Sequence, residues 1–455
     1  MQPVLTLPVT ALAGSLTEIR SFCDTVNTSE SQQLSRVLGK IGLAAIAING
    51  LIGAGIFALP AAAANQLGTF SPWMFVICGL VMLPIVAGFA YLSSLFSGTG
   101  GPVLYAKESF GPFVGFQTGW LLYVGRVSAL AANGHALVLY LSIFIPDLTD
   151  SVIASFSVCV LIAFLALLNV LGVKRAQGSI LIVTALKLLP ILLFVLFGLT
   201  YLNAETLFSA TPPALEQFPA SMLLLVYAFI GFEGALVPAG EAKSPKADMP
   251  KAILLTLLVA TLLYFFIQAI VVSVLPVPIE GRTPLADAAN VLGQDWGFSF
   301  GSQAMLIAAV ISIFGNLLAL MLAAPRMTFA LAEQKQLPSW FATVHPTFNT
   351  PTQSIYFLSG CAMLLALTGG FVWLAIISSL ARLIGYLICI AGIPKLHKTH
   401  QGKIARWQIH LLSLTGCGAC IWLMSQASLK SWLFTAGFVL LGSGLYSLTA
   451  KSKGK

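Results

Sequence analysis

The sequence predicts an all-α polytopic membrane protein with twelve transmembrane helices, and three observations support this. First, of 455 residues, 58% are hydrophobic and only 8% are charged. A soluble globular chain carries about 25% charged residues, so water is the wrong solvent for this surface. Second, mean hydropathy is +0.93, and apolar runs of the roughly 20 residues that cross a bilayer recur along nearly the whole length. Third, the basic residues are sorted. With spans alternating sides from a cytoplasmic start, eighteen of the 23 Lys and Arg fall inside, among them Arg36, Lys107, Lys174, Arg175, Lys243, Arg326, Lys395 and Lys398. Only Arg282 and Lys430 fall outside, while Arg126, Lys187 and Arg382 lie within spans. This positive-inside bias puts both termini in the cytoplasm. It also accounts for the net charge of +8 without a nucleic-acid partner.

Residues 1–40 are expected to be a cytoplasmic tail, because the first 33 lack a basic stretch ahead of their apolar patch and so do not read as a secretory signal. The spans are expected at 41–66, 72–97, 112–144, 151–171, 177–201, 217–241, 251–276, 301–331, 352–369, 371–394, 407–427 and 431–449. The longest outside connection is 277–300, punctuated by Pro278, Gly281 and Pro284. No connection is large enough to be a soluble domain, and no nucleophile–base pair stands out, so an enzyme is not expected. The seven cysteines lie almost entirely in apolar runs, and Cys417 and Cys420 read as small packing residues rather than a metal pair. No metal or cofactor is expected.

Span 1 contains Asn49-Gly50-Leu51-Ile52-Gly53-Ala54-Gly55-Ile56-Phe57-Ala58-Leu59-Pro60. Glycine costs about 1 kcal/mol in a helix interior. Broken backbone at membrane depth is tolerated only where protein or a water-filled cavity satisfies the freed amides and carbonyls. Span 6 repeats the pattern in Tyr227-Ala228-Phe229-Ile230-Gly231-Phe232-Glu233-Gly234-Ala235-Leu236-Val237-Pro238. It follows span 1 by five, and an odd number of helices per repeat inverts the second copy. Glycine-interrupted spans at matching positions point to inverted repeats with a binding site at their interface. The repeats are then 41–201 and 217–394.

The chemistry of the two breaks follows from helix ends. At Gly53–Ile56 an outer half-helix begins, and its free amides and positive dipole end suit a carboxylate. At Phe229–Gly231 the first half of span 6 ends, leaving carbonyls that can accept from an ammonium group. Together they match the ends of a zwitterionic amino acid. Tyr227 and Phe232 could close over such a ligand or line its side-chain part. Glu233 is expensive at this depth and is read as functional. It either bridges the unwound segments by accepting backbone donors or takes and releases a proton. Lys187, well inside span 5, is a second candidate for coupling to protons, its ammonium standing where a sodium ion could otherwise sit. Arg126 and His135 in span 3 and Arg382 in span 10 are further polar groups within spans; His135 reads equally as a hydrogen-bonded core residue.

These motifs resemble those of the amino acid–polyamine–organocation superfamily, particularly its bacterial amino acid permeases. Ile52-Gly53-Ala54-Gly55-Ile56-Phe57 with Pro60 is similar to the family's span 1 signature. Gly100-Gly101-Pro102 with Tyr105, Phe110-Gly111-Pro112 and Gly119-Trp120 resemble its loop into span 3. Phe229-Ile230-Gly231-Phe232-Glu233 with Pro238-Ala239-Gly240-Glu241 is similar to its span 6 signature, and Ala324-Pro325-Arg326 with Leu337-Pro338 to the end of its span 8. The resemblance implies a LeuT-like fold of five plus five inverted spans, with two additional C-terminal helices at 407–449. It implies the substrate carboxylate on the amides of Gly53, Ala54 and Gly55, and the amine near the carbonyls of Leu51, Ile52, Phe229 and Ile230. An aromatic at the position of Tyr227 would gate the site. A lysine at that of Lys187 would replace the sodium ion, favouring proton-coupled or sodium-independent transport. Where the family often carries Ser or Thr, this chain has Ala54, which removes one side-chain contact to the carboxylate.

The function expected is secondary active transport of amino acids across the cytoplasmic (inner) membrane by alternating access. The expected partners are an amino acid substrate, a proton and the lipid bilayer, with the protein a monomer or homodimer. Transport of a polyamine or other organic cation is the alternative, disfavoured because Glu233 is the acidic residue placed firmly within a span. A membrane sensor would bring a soluble output domain, which is not seen.

Overall fold

An α-helix that is apolar on every side must be surrounded either by protein or by lipid, and this chain builds helices of both kinds. The computed structural model describes residues 40–97, 100–172, 180–212, 214, 218–237, 239, 242–281, 283–295, 301–402 and 404–452. The tail at 1–39, Lys174, Arg175, Pro238, Gly240, Glu241 and Arg282 lie outside the described residues. In chain order the helices are α1 (Lys40–Leu51), α2 (Gly55–Leu67), α3 (Ser71–Leu95), α4 (Pro102–Phe110), α5 (Pro112–Leu141), α6 (Ser151–Val170), α7 (Ile180–Gly198), α8 (Ala204–Phe208), α9 (Phe218–Phe229), α10 (Pro245–Val274), α11 (Pro284–Asp295), α12 (Gly301–Glu333), α13 (Thr352–Thr368), α14 (Phe371–Ala391), α15 (Ile393–Thr399), α16 (Arg406–Ser425) and α17 (Leu429–Ser452).

Local chemistry sets several of these ends. Pro102, Pro112 and Pro245 each stand in the first turn of their helix, where the missing N–H costs nothing and φ is already helical. Gly111, at φ +93°, turns the chain between α4 and α5. Asp150 caps α6, its carboxylate accepting from Val152 N–H at 2.9 Å and Ile153 N–H at 3.0 Å. Four short helices, α4, α8, α11 and α15, fall wholly or largely outside the expected spans. The approach to span 3 folds as α4, and the expected outer connection 277–300 contains α11. Helices α4 and α11 are amphipathic or polar enough to escape a search for apolar runs.

Helix α5 is the central element, buried along most of its length and packed against α12, α13 and α14. Helix α3 packs along α10, and α16 leans on α3 and α14. The opposite situation holds outside. Val152, Phe156, Val160, Phe164 and Leu167 of α6 are exposed along one face, as are Leu411, Leu414 and Ile421 of α16 and Leu433, Leu440 and Leu448 of α17. Contiguous apolar surface on this scale is not stable against water, and lipid is its natural solvent. Among the described residues, seven helical stretches are long and apolar enough to cross a membrane, and four shorter apolar helices accompany them. The chain is an all-helical polytopic membrane protein.

Between helices in lipid, close approach comes from small residues. Gly79 of α3 faces Thr261 of α10, and a Cβ at Gly79 would stand 2.7 Å from Thr261 Cγ2. Gly79→Val should therefore wedge this pair apart at a cost of about 1–3 kcal/mol. The expected readout is a lowered thermal unfolding midpoint of the purified protein in detergent; an unchanged midpoint would contradict the packing described.

Candidate functional site

The first break lies between α1 and α2. Ile52 N–H still donates to Ile48 O at 2.8 Å, but Gly53 N–H turns back to Leu51 O at 3.0 Å. The next helix starts with Phe57 and Ala58 N–H both on Ala54 O, at 3.1 and 3.0 Å. The amides of Ala54, Gly55 and Ile56 therefore fall in a first turn, which has no intrahelical acceptors to offer. They carry the positive end of the α2 dipole.

The second break follows α9. Gly231 adopts φ +115°, a conformation that favours glycine, and a 3-10 turn over Phe232–Leu236 continues the chain. The two breaks touch backbone to backbone. A Cβ on Gly50 would lie 2.7 Å from Gly231 O, and a Cβ on Gly231 would collide with Gly50 O. Tyr264 of α10 bridges them from behind, its hydroxyl donating to Ala228 O at 2.9 Å and standing 3.3 Å from Leu51 O.

Glu233 shapes the second break. Its Oε2 accepts from Gly231 N–H at 2.8 Å and from the Tyr386 hydroxyl at 2.6 Å. Its Oε1 lies 3.2 Å from Arg382 Nε, an ion pair without the direction of a hydrogen bond. Arg382 also donates to Ser378 Oγ, which in turn donates to Gly125 O at 2.8 Å. The break is thus tied to α14 and, through it, to α5.

A cavity of about 740 Å³ opens where the breaks meet. Of the residues singled out in the sequence, Leu51, Gly53, Ala54, Gly55, Tyr227, Ile230 and Glu233 line it. Ile52, Ile56, Phe229 and Phe232 are buried behind it. The Phe229 ring packs edge-on to Tyr264 at 5.4 Å, and Phe232 sits between Phe89 and Tyr386 at 5.6 and 5.4 Å. Lys187 is also behind the lining, donating at 3.0 Å to Asn49 Oδ1, and Asn49 itself faces the cavity. Tyr227 donates at 2.8 Å to Asn133 Oδ1 and meets Phe371 edge-on at 5.7 Å. His135 donates to Ala366 O at 3.0 Å.

Asn49 and Gly50 belong to the stretch singled out in the sequence, whereas the lining residues Asn133 and Asn316 were missed. Asn316 of α12 packs so closely on Gly53 that a Cβ there would run into its amide nitrogen. A neutral amide within an apolar span is a usable signal, since such groups need a partner in hydrocarbon. The cavity reaches exposed Arg326 of α12 and exposed Gln334 just beyond its end, with Gly100, Pro102 and Val103 also lining it.

Comparison with known proteins places the chain among transporters. The sequence model of the family described as amino acid permease matches residues 38–443. The methylthioribose transporter of Bacillus subtilis is 26% identical over 445 residues, covering 93% of this chain and 95% of that protein. The serine/threonine exchanger SteT of the same organism is 27% identical, covering 84% and 88%. Its branched-chain amino acid permease BcaP is also 27% identical, covering 78% and 79%.

The contacts of Glu233 rank its neighbours. Glu233→Leu leaves Arg382 buried without a counter-charge and should cost about 3–5 kcal/mol. Tyr386→Phe removes one hydrogen bond and should cost about 1–3 kcal/mol. Thermal unfolding midpoints of the two purified variants check the order; equal losses would contradict the network.

Proposed function

The chain belongs to the amino acid permease family, and we propose that it is a secondary active transporter that moves amino acids across the cytoplasmic membrane by alternating access. The observation that supports this best is the pair of glycine-broken helices meeting at a cavity of about 740 Å³. That volume suits a small solute. The amides of Ala54 and Gly55, with Ile56 behind them, stand at the α2 N-terminus for the substrate carboxylate. The broken end of α9 near Ile230 supplies carbonyls for the amine. The Tyr264 hydroxyl already donates to Ala228 O and stands 3.3 Å from Leu51 O, so the amine's acceptors lie nearer the Ile230 end.

In this reading the twelve spans form a LeuT-like pair of five-helix inverted repeats, 41–201 and 217–394, with 407–449 added, and both termini are cytoplasmic. Arg326 and Gln334 then mark the cytoplasmic mouth, and the conformation is open to the inside. The Tyr227–Asn133 hydrogen bond and the Phe371 ring close the outer side. Glu233 organises the break rather than carrying the coupling proton, since its two oxygens are engaged by Gly231, Tyr386 and Arg382. Lys187 holds Asn49, in the last turn of α1 before the first break, and so couples its own charge state to that break. An organic cation is disfavoured, because among the described residues the lining has three guanidiniums and one carboxylate.

Counterflow in proteoliposomes with a panel of amino acids tests the transport reading; saturable exchange of at least one is expected, and none would sink it. For coupling, Lys187→Ala should abolish stimulation of uptake by an imposed pH gradient. Undiminished stimulation would remove Lys187 from the mechanism.

A further inference from the structure

Charge is unevenly distributed around the cavity. Among the described residues its lining holds the guanidiniums of Arg126, Arg326 and Arg382 and the single carboxylate of Glu233. Arg326 is exposed at the mouth, where it donates to Leu322 O and meets water. Arg382 is committed to Glu233 and Ser378. Arg126 is left over. Among the described residues it makes no hydrogen bond or ion pair, and its charged neighbours are Glu233 and Arg382.

Its position is set by α5. Gly119, Leu122, Arg126, Ala129 and Asn133 all line the cavity, at spacings of three and four that put them on one helix face. Asn133 stands at the Tyr227 closure, and Arg126 is two turns away, about 10 Å along the axis at 1.5 Å per residue. A Cβ on the adjacent Gly125 would stand 2.9 Å from Arg382 Cγ. Arg126 is therefore beside the second break and well inside the mouth.

An empty cavity lets water hydrate this guanidinium. A ligand that fills the cavity displaces that water, and a zwitterion with both charged ends held at the breaks offers no charge in return. Leaving a desolvated guanidinium unpaired costs several kcal/mol. A ligand with one more negative group supplies the missing partner, and Arg binds carboxylates through two parallel hydrogen bonds. We propose that Arg126 selects amino acids with an acidic side chain, its guanidinium receiving the side-chain carboxylate. This rests on the amino acid transport reading above and narrows its substrate class.

The test uses isosteric pairs that differ in charge. Counterflow by the full chain in proteoliposomes is measured separately for L-glutamate, L-glutamine, L-aspartate, L-asparagine, L-leucine and L-serine. At least one acid should exceed its own amide by tenfold or more in kcat/KM. Arg126→Gln should bring that ratio close to one by loss of the acid, and Arg126→Lys should keep part of it. Because Arg126 has no protein partner among the described residues, its removal orphans no hydrogen bond there. If Arg126→Gln nevertheless fails to reconstitute, the isosteric comparison in the unaltered protein decides alone. Amides or neutral amino acids carried as well as the acids would overturn the inference and leave the transport reading standing. A variant that loses all amino acids equally would place Arg126 on the main-chain carboxylate and also overturn it. Failure of every amino acid to move would bring down both.

Discussion

The carboxylate of Glu233, 2% exposed, is the group on which the rest of the site depends. A buried charge at this depth is stable only when its oxygens are occupied and a counter-charge is near. Gly231 N–H and the Tyr386 hydroxyl occupy one oxygen, and Arg382 stands against the other. The amide that Glu233 accepts belongs to the residue with left-handed backbone, so the side chain stabilises the interruption two residues before it. Without that acceptor, the freed Gly231 amide would face the same penalty that makes broken helices rare in membranes.

The geometry of the first break depends on the second. Gly50 and Gly231 pass each other with no room for a side chain on either, and Tyr264 holds carbonyls on both sides of the crossing. The crossing carries three separate supports, since Lys187 also reaches Asn49 one residue away. Helix α14 contributes to both ends of the site, with Phe371 against Tyr227 and with Arg382 and Tyr386 on Glu233. A helix with contacts at both places is suited to transmit a change at one to the other.

Electrostatics and backbone chemistry divide the cavity between them. The proposed contacts to the ends of an amino acid come from main-chain groups, which every amino acid can use. Discrimination then falls to side chains on α5 and α12, the elements that carry Arg126, Asn133 and Asn316. That division fits a family whose relatives here bear names as different as methylthioribose transporter and branched-chain amino acid permease.

The sequence by itself determined the membrane class and the presence of two interrupted helices. Apolar length and glycine placement act locally, and a linear reading captures local effects. It also marked Glu233, Lys187, Arg126 and Arg382 as costly, because an unpaired charge within an apolar span is expensive wherever its partner lies. Only the tertiary structure decided how these groups pair. It joined Arg382 to Glu233 across 149 positions of chain, set Lys187 on Asn49 rather than in the cavity lining, and turned Ile52, Ile56, Phe229 and Phe232 away from the cavity. Which side of an apolar helix faces a site is fixed by its packing partners. A uniformly apolar stretch carries no periodicity from which that face could be read.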